Sequence, residues 1–210
     1  MRIWFSVVLL FAALIGRTQL VPNAGFDSGS GGTLADWRMA NQSPITTAGV
    51  LSNGVRVLWA AESAGKSKHS LQFEGQGRAE GDYALVVSPF FHLLPGESYE
   101  ISFAYRASGL APENGDRSRY TALIMDLFHD GKTRFVAATR ILTSTNSDGW
   151  VRLQKIFTVP DEADHQQVRL SLTNKYPNAR ATLRIADISI VPLPPALGCR
   201  QSLPGRRSHH

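Results

Sequence analysis

Cysteine is all but missing from this chain of 210 residues. Cys199 stands alone, so no disulfide can form within the chain, and stability must come from packing or from a bound ion. Long apolar runs are equally scarce. The stretch Ile3 to Ile15 falls short of the roughly 20 residues that a membrane span needs, and no other segment approaches that length. No G-x-S-x-G elbow, H-E-x-x-H pair, Gly-rich phosphate loop or C-x-x-C is present, which removes the commonest sequence signs of a hydrolase, zinc protease, nucleotide enzyme or thiol oxidoreductase. Surplus charge is small as well. The net +5 includes Arg17, Arg200, Arg206 and Arg207 in the terminal segments, and without them the body is nearly neutral, so no nucleic-acid partner is expected.

What is there begins with MRIWFSVVLLFAALIG, a basic residue at Arg2 followed by an uncharged apolar run, the layout of a secretory signal peptide. Small residues (Ala12, Ala13, Gly16) close the run without a clean A-x-A triplet. Residues 1–19 are expected to be the signal, which places the protein outside the cytoplasm, either secreted or in the periplasm or at the cell surface. A single domain is expected over residues 20–192. The prolines of IVPLPP end strand pairing, and residues 193–210 have neither period nor apolar density and are expected to be disordered.

Between these limits the chain reads as short alternating segments separated by Gly, Pro, Asn and Asp, which predicts an all-β sandwich or barrel. Strands are expected at Ser70 to Gly75, Tyr83 to Phe91, Ser98 to Ala107, Tyr120 to Phe128, Arg134 to Leu142, Trp150 to Val159, Gln167 to Asn174 and Ala181 to Val191. Weaker ones lie around Trp59 and in the opening LVPNAGF. In SYEISFAYRA, Tyr99, Ile101, Phe103 and Tyr105 share one parity and oppose Glu100, Ser102 and Arg106, so the strand buries one face. Pro95-Gly96 and Asp130-Gly131 mark turns.

Candidate chemistry is thin. Asp126, His129 and Asp130 crowd together in MDLFHDG, but on a strand His129 faces away from the two acids, and Asp130-Gly131 is turn chemistry. Glu74, Glu80, Glu97, Glu100 and Glu113 could supply the facing carboxylates of a glycosidase, roughly 5 to 10 Å apart, yet their spacing selects no pair. Aromatics are more telling, because a ring exposed in a cleft can stack on the apolar face of a sugar. By strand position the expected ligand contacts are Tyr105, Tyr120, Phe128 and Trp150, with Arg106 and Arg152 as hydrogen-bond donors.

The ordered run NAGFDSG, ADW, SLQFEG, LLPGESYEISFAYRA, GWVRLQKIFTVP and ATLRIADISIVP resembles the carbohydrate-binding modules of the CenC type, families four, nine and twenty-two. The resemblance spans Leu20 to Pro192. It implies a jelly-roll β-sandwich of the galactose-binding-domain-like type, a polysaccharide or oligosaccharide bound on the concave face of one sheet, and a structural calcium. By motif match the calcium ligands are Asp27 and Asp187. Asp27 stands where the family usually has Glu, and Ala186 where it has a first aspartate.

A secreted, monomeric, non-catalytic carbohydrate-binding module is therefore the expected function. Two other readings stay open: an accessory part of, or a truncated, glycoside hydrolase, and an envelope or adhesion sandwich that binds no glycan.

Overall fold

The alternating segments pair into two antiparallel sheets. The computed structural model describes residues 20–62, 64–76, 83–110, 121–129, 131–132, 134–143, 145–173 and 180–194. The expected signal segment 1–19 and the tail from 195 onward lie outside the described residues, as does Tyr120. The strands are β1 (Gly29–Ser30), β2 (Thr33–Met39), β3 (Pro44–Thr46), β4 (Val50–Ser52), β5 (Val55–Ala60), β6 (Ser70–Gly75), β7 (Tyr83–Val87), β8 (Ser98–Ser108), β9 (Thr121–His129), β10 (Arg134–Thr143), β11 (Val151–Thr158), β12 (His165–Thr173) and β13 (Thr182–Pro192). One sheet has seven strands in the order β1-β2-β7-β12-β9-β10, with β3 on β2; the other has six, β11-β8-β13-β6-β5-β4. This is the all-β sandwich that the period-2 pattern predicts.

Each sheet turns one parity inward. Tyr99, Ile101, Phe103 and Tyr105 of β8 join Leu71 and Phe73 of β6 and Leu183 and Ile185 of β13 from one side, and Leu123, Met125 and Leu127 of β9 with Val168, Leu170 and Leu172 of β12 from the other. Each such side chain contributes roughly 1.5 to 3 kcal/mol when fully buried, which accounts for a fold that needs no disulfide.

The opening LVPNAGF is not the strand the sequence suggests. It is a run of turns with Asn23 and Phe26 at positive φ (45° and 56°). Its apolar side chains Val21, Ala24 and Phe26 plug the sandwich. Phe26 meets Trp37 edge to face at 5.1 Å, and Trp59 Nε1–H donates to the Phe26 carbonyl at 2.8 Å. Asn23 holds the turn by donating to the carbonyls of Ser28 (2.9 Å) and Ala35 (3.0 Å) and accepting from Ser28 N–H (2.9 Å).

Candidate functional site

Of the six side chains expected to contact a ligand, the five among the described residues do not form one site. Tyr105 is a core residue, 4% exposed, with its hydroxyl 3.2 Å from Thr145 Oγ1. This corrects the expectation: Tyr105 has the inward parity of β8, and a ring on that parity faces the opposite sheet. Arg106, Trp150 and Arg152 lie on the outer face of the six-stranded sheet. Phe128 lies on the outer face of the seven-stranded sheet, the other side of the molecule. Arg106 is taken up by Glu62 at 3.0 Å. Trp150 packs on Ala64, Ala104 and Ala186.

Strand register orders the open face of the seven-stranded sheet into rows. His165, Phe128 and Phe135 stand in register across β12, β9 and β10; Gln167, Asp126 and Ala138 form the next row. Arg38, Val87, Arg169, Ile124 and Arg140 form the third, across five strands. The aromatic row extends sideways, since Phe90 meets Phe128 at 5.5 Å and Phe128 meets Phe135 at 6.0 Å, both edge to face. Lys132 Nζ sits 4.7 Å from the Phe90 ring centre. Phe135 is 55% exposed although it is a large apolar side chain. With the half-buried Phe90 and Phe128 beside it, the ring forms an apolar patch on this face.

Asp126 is buried under this face, and Arg169 Nη2 donates to its Oδ1 at 2.8 Å. Burial pushes the Asp126 carboxyl above its ordinary range, against the pull of Arg169 and Arg140. At the aromatic end, His165 Nδ1 lies 2.8 Å from Asp164 Oδ1, and this hydrogen bond holds Asp164 below the usual carboxylate range. Phe135, Arg169 and His165 escaped the sequence reading. Their alternation marks outward positions, but only pairing across three strands gathers them.

Asp27 and Asp187 line one cavity of 690 Å³, together with Ser67, Gly25 and Gly65. Asp187 occupies a bulge of β13, with φ of 51°, where the register to β8 shifts between Ala186 and Ser189. Its Oδ1 accepts from Ser67 N–H at 3.0 Å and from the Ser67 hydroxyl. Arg152 Nη2 lies 3.5 Å from Oδ2. Asp27 Oδ1 accepts from Lys68 N–H at 2.7 Å. These donors suit a hard cation: two carboxylates and a hydroxyl share the cavity, and the two glycines keep its wall clear. A Cβ at Gly25 would come within 2.9 Å of Ser67 Oγ, and one at Gly65 within 3.0 Å of Asp187 Oδ2. Among the described residues no group of three or more His, Cys, Asp or Glu side chains converges. Calcium takes six to eight oxygens, so backbone carbonyls or water would have to complete the set, and Arg152 competes for the same carboxylate.

No protein-family model matches the sequence, and none of the curated proteins matches it. Among solved structures, the enzymatically active domain of bacteriophage CBA120 tailspike protein 4 is similar over 83% of this chain at 12% identity, with a TM-score of 0.56, and this chain spans only 21% of that one. TmCBM61, solved in complex with β-1,4-galactotriose, is similar over 83% of this chain and 99% of its own, at 14% identity and a TM-score of 0.52. The CBM22-1 xylan-binding domain from Paenibacillus barcinonensis Xyn10C covers 82% of this chain and 94% of its own, at 18% identity and a TM-score of 0.43. The chain thus shares a β-sandwich fold with TmCBM61.

Proposed function

We propose that this chain is an exported, non-catalytic carbohydrate-binding module of the CenC type, acting as a monomer, which holds a polysaccharide chain on the open face of its seven-stranded sheet. The observation that carries the reading is the aromatic row of His165, Phe128 and Phe135 beside a band of arginines, Arg38, Arg169 and Arg140. Sugar rings present C–H faces that stack on aromatic rings, and hydroxyls that accept from guanidinium groups. A sheet face crossed by such rows suits a polymer, which lies along it, better than a single small molecule. Export is supported by the basic start and apolar run ahead of the domain.

A structural calcium held by Asp27 and Asp187 belongs to the same proposal. When bound, the ion supplies positive charge that ties the opening turns to β13. Asp27, in those turns, and Asp187, in the last strand, are the groups that would hold it, with Ser67 Oγ beside them.

Calorimetry or affinity electrophoresis against xylan, β-glucans, cello-oligosaccharides and an acidic polysaccharide tests the binding. At least one should bind saturably, and Phe135→Ala or Phe128→Ala should weaken it by about five- to tenfold. Silence across a broad glycan array would sink the proposal.

A further inference from the structure

The outer face of the six-stranded sheet carries a depression whose cause is written in three strands. Across β11, β8 and β13 the outward side chains stand in rows: Arg152, Ala104 and Ala186; then Gln154, Ser102 and Ser189; with Glu100 and Val191 beyond them on β8 and β13. The two inner strands carry small residues where the edge strand carries long ones. Ser102 and Ser189 therefore form a low floor walled by Arg152 and Gln154. The bulge at Asp187 adds the second wall, because its extra residue turns the carboxylate toward Ser67 and the Arg152 guanidinium. The depression is the open 690 Å³ cavity described above, within the range of about 300 to 1,000 Å³ typical of small-molecule pockets.

We infer that this depression is a second sugar-binding site, taking one or two neutral sugar rings and separate from the polymer face on the opposite sheet. With Asp27 and Asp187 assigned to the proposed calcium, the rest of the lining sets Lys66 and Arg152 against Glu100, a near balance that suits a neutral ligand. Donors and acceptors alternate instead. Arg152 Nη1 donates to Ser102 Oγ at 2.9 Å and Nη2 to Asp187 Oδ2 at 3.5 Å, which fixes the guanidinium in the cavity wall. Among the described residues, Glu100 and Gln154 have no side-chain hydrogen bond of their own, although both line the cavity. Vicinal hydroxyls, each a donor and an acceptor, match such a set, whereas an apolar ligand would leave it unsatisfied. Val191 provides apolar surface for the C–H face of a ring.

Heteronuclear NMR titration of the full chain with glucose, xylose, galactose, cellobiose and xylobiose tests this, with Ser102→Leu to fill the floor, Gln154→Ala to remove a wall donor and Phe135→Ala as a control on the opposite face. At least one sugar should bind saturably and shift amides of β8, β11 and β13. Ser102→Leu should abolish that binding, Gln154→Ala should weaken it by about fivefold, and Phe135→Ala should leave it alone. Should Ser102→Leu fail to fold, Gln154→Ala carries the test, since its side chain is exposed. The inference fails if none of the five sugars saturates, if Gln154→Ala and a folded Ser102→Leu bind as the parent does, or if the shifts fall only on β9, β10 and β12. Failure of the polymer reading would appear separately, as loss of polysaccharide binding with these shifts intact.

Discussion

Arg169 and Asp126 show how a buried charge can serve an exposed face. Asp126 is 2% exposed, and its carboxyl is held above its ordinary value of 3.8 by desolvation first, with Arg169 opposing. A carboxylate raised in the folded state contributes stability below pH 3.8 that is lost as pH rises through the folded value. Removing the guanidinium raises that value further. Arg169→Met is therefore expected to cost about 2 to 3 kcal/mol near neutral pH, toward the low end for a buried pair because Arg169 is part-exposed, and much less at pH 3, where the acid is mostly protonated whether folded or not. Thermal unfolding at the two pH values reads this out. A cost independent of pH would mean that Arg169 acts by packing alone. Phe135 is the opposite case: its exposed ring contributes little to folding, so Phe135→Ala should change glycan affinity and leave the melting temperature nearly unmoved.

At the scale of elements, the bulge in β13 does most to shape the molecule's second face. Asp187 sits at φ of 51°, a conformation that costs a residue with a Cβ roughly 1 to 2 kcal/mol unless its side chain is short and polar. Asp187→Asn should keep the bulge, since asparagine tolerates that region and can still accept from Ser67. Asp187→Ala should lose both and melt lower, by about 1 to 2 kcal/mol relative to Asp187→Asn. Equal melting temperatures for the two variants would show that the backbone there is indifferent to the side chain. The same kind of kink hid β2 from the sequence reading. Asp36 at φ of 68° breaks the period between Leu34 and Trp37, both buried, so no alternation is visible in TLADWRM. β1, β3 and β4 have two or three residues each, too few to show a period at all.

Across the whole molecule, the two candidate faces lie on opposite sheets, and the proposed calcium would tie one end of the chain to the other. If the ion is bound, added calcium should raise the melting temperature relative to chelator, and Asp27→Ala should remove that rise; a melting temperature indifferent to calcium in the parent chain would leave Asp27 as a turn residue that caps Lys68 N–H. Because the faces are remote from each other, Phe135→Ala and Ser102→Leu should affect binding independently, and their free-energy effects should add in the double variant. By itself the sequence determined the β class, the main strands from β5 onward, and the buried parity of strands such as β8, because burial of one face imposes a period of two that needs no knowledge of partners. It also picked out Phe128, Arg152 and the two aspartates as residues of interest. Only the tertiary structure decided where they stand: Phe128 on one outer face, Arg152 and Trp150 on the other, and Tyr105 in the core between. Period tells inward from outward, but which outward residues become neighbours depends on strand order and register, and those are set by pairings between segments distant in the chain. For the same reason Asp27 and Asp187, 160 residues apart in sequence, share a cavity that local pattern alone does not reveal.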